Sequence, residues 1–352
     1  NILTKRNGLI GVDIGSSCVK VAQLTRRSGR FALQNAVVLD RHISTSDAPH
    51  GKDSFSVRDV GQLLLACEHF SGRSAATVVS MSACEVKSEP VDSELAVAGL
   101  DDFARQIAER DSCLPKPMQH DYWRTQIDSR DDTLHVVATP KQLALDVAKQ
   151  HGLAGWDCTA MDGLPKALAR AVAMTEGPNA PPVAAIDWGW SQVTVCVVQD
   201  GEALFVRSFR HGALATIVEP LCQELRLTRH EASKLLSQTG ICGVEGEASL
   251  TRTTRVVAQH ASAGVQQFEQ EVGRTLGYVA SRRRTISPER ILLFGGGAMI
   301  ANIATDVGRT LDRPADVWNF PAIEGMRHSE TPSPVPLLGP AIALSALSWE
   351  AS

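Results

Sequence analysis

The stretch LIGVDIGSSCVKVAQL at residues 9–24 is the strongest fold signal in the chain, because a similar stretch, VAAIDWGWSQVTVCVV, follows at residues 183–198. Each consists of an apolar strand, an Asp-x-Gly step, a short polar turn and a second strand rich in β-branched residues. The corresponding positions are Asp13 and Asp187, Gly15 and Gly189, and Ser17 and Ser191. We predict that each stretch forms a β-hairpin with its aspartate and glycine at the tip. Two such hairpins predict a duplicated domain with one hairpin in each half.

Length and composition limit the classes of protein that fit. The 352 residues suggest about two domains at ~150 residues each. Hydrophobic residues make up 43% and charged residues 21%, which is ordinary for a globular protein. The formal net charge of -4 argues against a nucleic-acid-binding protein, which needs excess positive charge to displace counterions. The eight cysteines include no C-x-x-C pair, which disfavours a zinc site and agrees with a reducing cytosol.

The position of the hairpins and of the breaks between them predicts five segments. The stretch EGPNAPP at residues 176–182 cannot continue a helix and separates the two halves. Within residues 85–155, an apolar helix face at Leu100–Ile107 precedes a strand at Thr133–Thr139 and a further helix, which predicts a small inserted α/β unit. The segments are a first lobe at 1–84, the inserted subdomain at 85–155, a connecting helix and linker at 156–180, a second lobe at 181–338 and a C-terminal connecting helix at 339–352.

Further helices and a glycine-rich loop are predicted around and after the second hairpin. The connecting helix is predicted over Met161–Met174, and the capping-box pattern Thr228-Arg-His-Glu231 opens another helix. A strand at Arg290–Phe294 runs into three consecutive glycines. The last helix, Gly339–Trp349, is almost wholly apolar, which predicts that it is buried. No stretch reaches the ~20 apolar residues of a membrane span, so no membrane segment is predicted.

A strand followed by Asp-x-Gly, a turn and a second strand suits a bound polyphosphate. The glycine lets the backbone approach the ligand, and turn N–H groups donate to phosphate oxygens. The carboxylates of Asp13 and Asp187 would hold Mg²⁺ or its waters, and Lys20 would add a positive charge. The glycine loop is not a dinucleotide-binding fingerprint, because Ile300 breaks the G-x-G-x-x-G spacing, and the chain contains no Walker A motif.

The order of these motifs resembles the superfamily of actin, sugar kinases and heat-shock chaperone ATPases. GVDIGSSCVKVA resembles its first phosphate loop, AAIDWGWSQVTVCVV the second and LLFGGGAMIANI its adenosine motif, while MDGLPKALARAVA and LLGPAIALSAL resemble its two connecting helices. Within the superfamily, the chain is most similar to the PilM family of type IV pilus assembly proteins, relatives of the division protein FtsA. The likeness rests on DIGSS-x-VK, on the inserted module with LPKPMQHDYW, and on FEQEVGRTLGYVASRRRTISPERILLFGGGA.

The resemblance implies an α/β, two-lobed, actin-like (duplicated ribonuclease-H-like) fold with a small inserted α/β subdomain, and ATP with Mg²⁺ in the cleft. It implies no catalytic residue. The residues carried over are Asp13, Gly15, Ser16, Ser17 and Lys20 in the first phosphate loop, Asp187, Gly189, Ser191 and Thr194 in the second, Glu231 and Lys234 at the ribose and base, and Gly295, Gly296 and Gly297 at adenosine and the α-phosphate. The metal would be held by Asp13 and Asp187.

The resemblance also implies a partner. PilM-like proteins are cytoplasmic and bind the N-terminal tail of the inner-membrane protein PilN in a groove that involves the inserted subdomain. We therefore expect an ATP-binding scaffold that is peripheral to the inner membrane and reaches it only through partners, with no nucleic acid and with self-association left open. The nucleotide would act as a clamp or switch between the lobes.

Three residues depart from the family pattern. Leu164 stands where the family has a glutamate that would help to orient water or metal, which predicts at most a slow ATPase, and Asp162 is a weak substitute. The bulky Trp188 and Trp190 flank the glycine of the second loop, and Trp190 is expected to narrow the phosphate cleft.

Two other functions fit the same superfamily. An FtsA-like polymerising division protein would need a membrane-binding amphipathic helix at its end, whereas the last helix here is apolar throughout. A sugar or acetate kinase would need a carboxylate base in the cleft, and the only clear candidates are the two loop aspartates.

Overall fold

The computed structural model describes residues 6–41, 57–92, 97–126, 132–177, 179–241, 252–320 and 335–350. The strands are β1 (Arg6–Asn7), β2 (Ile10–Ile14), β3 (Cys18–Arg27), β4 (Arg30–Asp40), β5 (Ser74–Val79), β6 (Glu85–Pro90), β7 (Met118–Gln126), β8 (Asp132–Pro140), β9 (Asp157–Gly163), β10 (Val183–Trp188), β11 (Val193–Gln199), β12 (Glu202–Phe209), β13 (Arg290–Phe294) and β14 (Ala315–Val317). The helices are α1 (Val57–Cys67), α2 (Val97–Glu109), α3 (Lys141–Leu153), α4 (Leu164–Ala173), α5 (Ala215–Leu225), α6 (Arg229–Thr239), α7 (Arg252–Arg282), α8 (Ile303–Leu311) and α9 (Val335–Ala346).

Two sheets repeat the same strand order, one in each half of the chain. The first sheet runs β4-β3-β2-β5-β9, with the short β1 also on β3, and the second runs β12-β11-β10-β13-β14. In both sheets the hairpin pairs antiparallel, and its first strand pairs parallel with the next strand of the sheet. The predicted hairpins and the predicted duplication into a two-lobed α/β fold are confirmed.

Helices α4 and α9 lie between the two sheets and share one apolar core with both. The middle of α9 is buried, as its apolar sequence predicts, and its backbone packs directly on β2. A Cβ atom on Gly11 would lie 1.9 Å from the carbonyl oxygen of Ala341, so this strand position admits no side chain. The Ser345 hydroxyl donates to the Leu9 carbonyl at 2.6 Å and accepts from the Leu24 N–H at 2.8 Å.

The connecting helix begins later than predicted. Residues 157–163 form β9, which pairs parallel with β5, and α4 begins only at Leu164. The next residue, Pro165, occupies the first turn of the helix, where its missing N–H costs no hydrogen bond. Sheet pairing therefore overrides the helical pattern of the residues before Leu164.

A third, antiparallel sheet, β6-β8-β7, lies within the predicted inserted subdomain and packs on α2. Helix α3 falls within the same predicted segment, but its Val147 belongs to the first-lobe core with Ile10 and Trp156. The segment boundaries stay a prediction. None of the described helices combines the length and the apolar character that a bilayer crossing requires.

Candidate functional site

The tips of the two hairpins meet between the lobes. The Ser16 hydroxyl donates to the Ser191 hydroxyl at 2.9 Å, so the two loops are in direct contact. The crevice behind this contact has a volume of about 80 Å³. The predicted site residues that line it are Asp13, Gly15, Ser16, Ser17, Lys20, Asp187, Gly189, Ser191, Thr194, Gly295 and Gly296.

Lys20 is the central charge of the crevice. Its Nζ lies 2.8 Å from Oδ2 of Asp13, directly across the hairpin, and each of the two side chains is only 12% exposed. Burial by itself would lower the Lys20 pKa, but the interactions with Asp13, then with Cys18 and Asp187, together outweigh it and raise that pKa. Burial raises the pKa of Asp187 to about 6, with Lys20 opposing and Asp13 adding to the rise. With all three groups ionised, these side chains carry one excess negative charge.

The loop glycines keep side chains out of the crevice. In both loops the glycine N–H closes a turn of the same size, from Gly15 to the Cys18 carbonyl and from Gly189 to the Gln192 carbonyl, each at 3.0 Å. A Cβ atom on Gly15 would lie 2.8 Å from Nζ of Lys20. A side chain at this position would therefore compete with the lysine ammonium group for the same space.

Gly295 forms the second-lobe side of the crevice. Its φ of +80° lies in the left-handed region that favours glycine, and a Cβ atom would be 2.5 Å from Oδ1 of Asp187. Glycine at this position leaves the carboxylate oxygen accessible beside the loop.

Arg41 contacts the backbone of the first loop, a role that the sequence patterns did not predict. Its Nη1 donates to the Gly15 carbonyl at 2.8 Å, and its Nε lies 3.1 Å from Oδ2 of Asp59 on α1. The Arg41 and Asp59 side chains are each 3% exposed. Because Asp59 belongs to a distant helix, no local sequence signal connects it with the loop.

A cavity of about 630 Å³ adjoins the crevice and shares Cys18, Trp190 and Gly296 with it. This volume lies within the usual range of small-molecule sites. The Arg229 guanidinium stands 4.9 Å above the Trp190 ring, at the first residue of α6. Trp190 therefore forms a wall of both spaces.

The predicted ribose and base residues do not line this cavity. The Glu231 side chain is exposed, and its carboxylate accepts from the N–H of Thr228 at 2.8 Å in the capping box that begins α6. Lys234 is also exposed. The residues of this helix that do line the cavity are Thr228, Arg229, His230, Ser233 and Leu236, which follow one helical face.

Gly297 and Trp188 belong to the second-lobe core. A Cβ atom on Gly297 would lie 2.1 Å from the Trp188 ring, so this glycine serves packing. The ring of Trp188 stacks on Phe268 at 3.5 Å between centroids, and its Nε1 donates to the Gly212 carbonyl. Trp188 is fully buried and does not line the cleft.

The position at which the family resemblance implies a glutamate is apolar here. Leu164 lines the crevice and is 7% exposed. Asp162 does not take its place, because its Oδ2 lies 2.9 Å from Nη1 of Arg170 and its side chain lines a different groove. The crevice therefore has no third acidic side chain from this segment.

The crevice fits a magnesium-bound phosphate better than a metal site made of protein alone. The described residues include no cluster of three or more His, Cys, Asp or Glu side chains. Mg²⁺ is usually held by one or two carboxylates together with waters and substrate phosphates. Asp13 and Asp187 supply such a pair, and the excess negative charge suits a divalent cation.

A second groove, of about 520 Å³, separates the β6-β8-β7 sheet from the first lobe. One wall is the start of β7, with Gln119, His120 and Asp121. The other wall is α3, where Lys141 and the 55% exposed Leu145 lie. The groove thus has a polar wall on β7 and a largely apolar wall on α3.

Comparisons with known proteins agree with this architecture. The family model for the type IV pilus assembly protein PilM matches residues 11–334. A solved structure of a PilM–PilN type IV pilus biogenesis complex is similar with a TM-score of 0.75 and 18% identity, over 98% of this chain and 99% of that chain. The ethanolamine utilization protein EutJ from Carboxydothermus hydrogenoformans has a TM-score of 0.51 and 13% identity, over 98% and 91% of the two chains. These likenesses confirm the predicted actin-like fold.

Proposed function

The chain belongs to the PilM family of type IV pilus assembly proteins, and we propose on this basis that it binds ATP with Mg²⁺ between its lobes and holds the N-terminal cytoplasmic tail of a PilN-like membrane protein. The observation that carries the nucleotide part is the meeting of two Asp-x-Gly hairpin tips around Lys20. The family favours pilus assembly over the two other functions, the division protein and the sugar or acetate kinase.

Different residues of the crevice would contact the metal and the phosphates of a bound nucleotide. Asp13 and Asp187 would hold Mg²⁺, which supplies the positive charge that brings a polyphosphate to a site with excess negative charge. Lys20 and the turn N–H groups would donate to phosphate oxygens. The adjoining cavity would take the base and ribose, with Trp190 as an aromatic wall.

The size of the crevice supports a nucleotide switch. A volume of about 80 Å³ holds about five to eight water molecules, at roughly 10–15 Å³ for each. A triphosphate would therefore have to separate the hydroxyls of Ser16 and Ser191 and move the lobes apart. Binding is thereby linked to a change of lobe position that a partner can recognise.

We expect turnover to be slow at most. Leu164 faces the crevice where a carboxylate would orient a water molecule, and Asp162 is neutralised by Arg170. Nucleotide occupancy, rather than hydrolysis, would then control the position of the lobes.

The groove between β7 and α3 is the proposed site for the partner tail. An extended peptide is held by backbone hydrogen bonds and by side-chain pockets, and this groove offers both polar strand residues and apolar helix residues. A tail bound there would keep the protein on the cytoplasmic side of the inner membrane, peripheral to it, through the partner alone.

Calorimetry with the full chain tests the nucleotide part. ATP with Mg²⁺ should bind the wild type, should fail to bind when EDTA removes the metal, and should fail to bind the double variant Asp13→Ala, Asp187→Ala. The matched control is Asp157→Ala, an exposed aspartate away from the cleft. Wild-type binding that survives EDTA, or binding by the double variant, would contradict the proposal.

Two leucines of α3 test the partner part. A labelled peptide of the PilN N-terminal tail should bind the wild type and lose affinity at least tenfold for Leu145→Arg, which places a charge in the groove. Leu153→Arg is the control, because Leu153 is similarly exposed (59%, against 55% for Leu145) but does not line the groove. Equal loss in both variants would exclude the groove as the binding site.

A further inference from the structure

Trp123 connects the β6-β8-β7 sheet with the second lobe. It lies on β7, is buried, and its Nε1–H donates to the carbonyl oxygen of Ala203 on β12 at 2.7 Å. Its ring is nearly parallel to the imidazole of His135 on β8, with an interplanar angle of 15° and 5.1 Å between centroids. The aromatic stack therefore fixes the direction in which the indole N–H points.

The His135 side of the stack is itself fixed. The Ser88 hydroxyl lies 2.8 Å from Nδ1 and the Thr125 hydroxyl 2.8 Å from Nε2, so both ring nitrogens have partners. Burial lowers the His135 pKa to about 4, so the imidazole is neutral near pH 7. The stacking on His135 thus fixes the orientation of Trp123 within its own sheet, while its indole N–H contacts Ala203 of the second lobe.

The Ala203 end of this contact leads to the second phosphate loop. Strand β12 pairs with β11, which begins directly after that loop and is buried along nearly its whole length. Thr194 of β11 lines the crevice, and its hydroxyl lies 3.0 Å from that of Ser208 on β12. Glu202, next to Ala203, pairs with Lys166 of α4 at 2.8 Å. A displacement of the loop would therefore be passed to Ala203 through two packed strands.

The Trp123 end leads to the partner groove. Gln119, His120 and Asp121 form one groove wall and precede Trp123 by two to four residues on the same strand. At ~3.3 Å per residue, this places them roughly 7–13 Å from Trp123 along β7. The opposite wall, α3, packs in the first-lobe core. The two walls are joined where α3 follows β8, the strand that pairs with β7. Beyond that junction, α3 is attached to the first-lobe core and β7 is attached to the second lobe through Trp123.

We infer that Trp123 couples the two proposed ligands: through its contact with Ala203, the position of the second lobe sets the spacing between β7 and α3. The inference rests on the proposed function, because it requires both nucleotide and peptide binding. Coupling of this kind is reciprocal, so each ligand changes the affinity for the other by the same factor.

The test measures this factor in the full chain. The affinity for a fluorescent peptide of the PilN N-terminal tail is determined by anisotropy, with and without saturating ATP and Mg²⁺. Trp123→Phe keeps an aromatic ring on His135 and removes the N–H donor. Trp156→Phe is the matched control, because Trp156 is a fully buried tryptophan in the first-lobe core, packed edge-on against Phe70.

We expect nucleotide to change the peptide affinity of the wild type and of Trp156→Phe at least about fivefold, within the usual range for allosteric coupling. In Trp123→Phe the change should fall below about twofold, while each ligand alone still binds within about twofold of wild type. A Trp123→Phe variant that retains the full change, or a wild type that binds both ligands without coupling, would overturn the inference. Failure of the wild type to bind either ligand alone refutes the proposed function itself, and the single-ligand titrations identify that case.

Hydrogen exchange gives a second measurement that does not depend on a variant. Addition of ATP and Mg²⁺ to the wild type should alter amide exchange in β7 around Trp123. Unchanged exchange over residues 118–126 in nucleotide-saturated protein would overturn the inference as well.

Discussion

Replacement of Asp187 by asparagine is expected to stabilise the protein while it removes nucleotide binding. Asp187 shares the crevice with Asp13 and Lys20, and the single ammonium group cannot balance two carboxylates. Burial and then the Asp13 charge raise the Asp187 pKa from its ordinary 3.8 to about 6, although Lys20 opposes the rise. The ionised aspartate is therefore a source of instability in the folded state.

The sign and size of the effect follow from proton linkage. Because the folded-state pKa is the higher one, the stabilisation from the protonated group is complete below pH 3.8 and is lost as the pH rises through about 6. At about 1.36 kcal/mol per pH unit, the difference amounts to about 3 kcal/mol above pH 6. Asparagine carries no charge at any of these pH values. The Asp187→Asn variant should thus be about 3 kcal/mol more stable than wild type at pH 8 and equal to it near pH 4.

Urea unfolding without nucleotide, followed by circular dichroism at a series of pH values from 4 to 8, measures this difference. Calorimetry should show that the same variant no longer binds ATP with Mg²⁺. Asp157→Asn is the control, since its exposed pair with Arg73 should contribute at most about 1 kcal/mol. A variant no more stable than wild type at pH 8, or a difference that does not shrink toward pH 4, would refute the electrostatic argument.

Three further predictions concern stability and binding. Lys20→Met leaves the buried Asp13 carboxylate without its partner, so thermal unfolding should show that the free energy of unfolding falls by about 3–5 kcal/mol. A second change, Asp13→Asn, should restore most of this stability, and a double variant as unstable as Lys20→Met would count against the pairing. Gly297→Ala places a methyl group against the Trp188 ring, so it should lower the free energy of unfolding by about 1–3 kcal/mol and alter the near-ultraviolet circular dichroism spectrum. An unchanged spectrum and unchanged stability would contradict the packing. The pKa of His135 is about 4 in the folded protein against an ordinary 6.5, so the free energy of unfolding should fall by about 3 kcal/mol as the pH falls from 6.5 to 4. Urea unfolding of the wild type and of His135→Phe over this pH range measures the effect. A stability difference between the two proteins that does not change with pH would disprove it.

Sequence patterns were sufficient where the determinant is local. The repeated Asp-x-Gly pattern predicts both β-hairpins, and the structure has both at the predicted residues. The capping box at Thr228 likewise marks the first turn of α6 correctly. In these cases the residues that decide the geometry are within a few positions of each other.

Sequence patterns were insufficient where the outcome depends on tertiary contacts. The family resemblance places Glu231 at the ribose and base, but its carboxylate is bound to the Thr228 N–H in the capping box. The orientation of α6 in the lobe decides which of its faces lines the cavity, and the local sequence does not determine that orientation. Trp188 and Trp190 are two residues apart, yet one stacks in the core on Phe268 and the other lines the cleft. Arg41 finds its partner on a helix that the local sequence does not identify.

The position of α9 has a consequence for biosynthesis. This helix covers the N-terminal sheet, and its Ser345 hydrogen-bonds to Leu24 across 321 positions of the chain. Nascent chains leave the ribosome at about 5–20 residues per second, so the strands that emerge early wait many seconds for the helix that covers them. Until then the apolar face that α9 covers stays exposed, and exposed apolar surface on a nascent chain favours aggregation. Ribosomal stalling before α9 should therefore yield nascent chains whose first half is sensitive to protease.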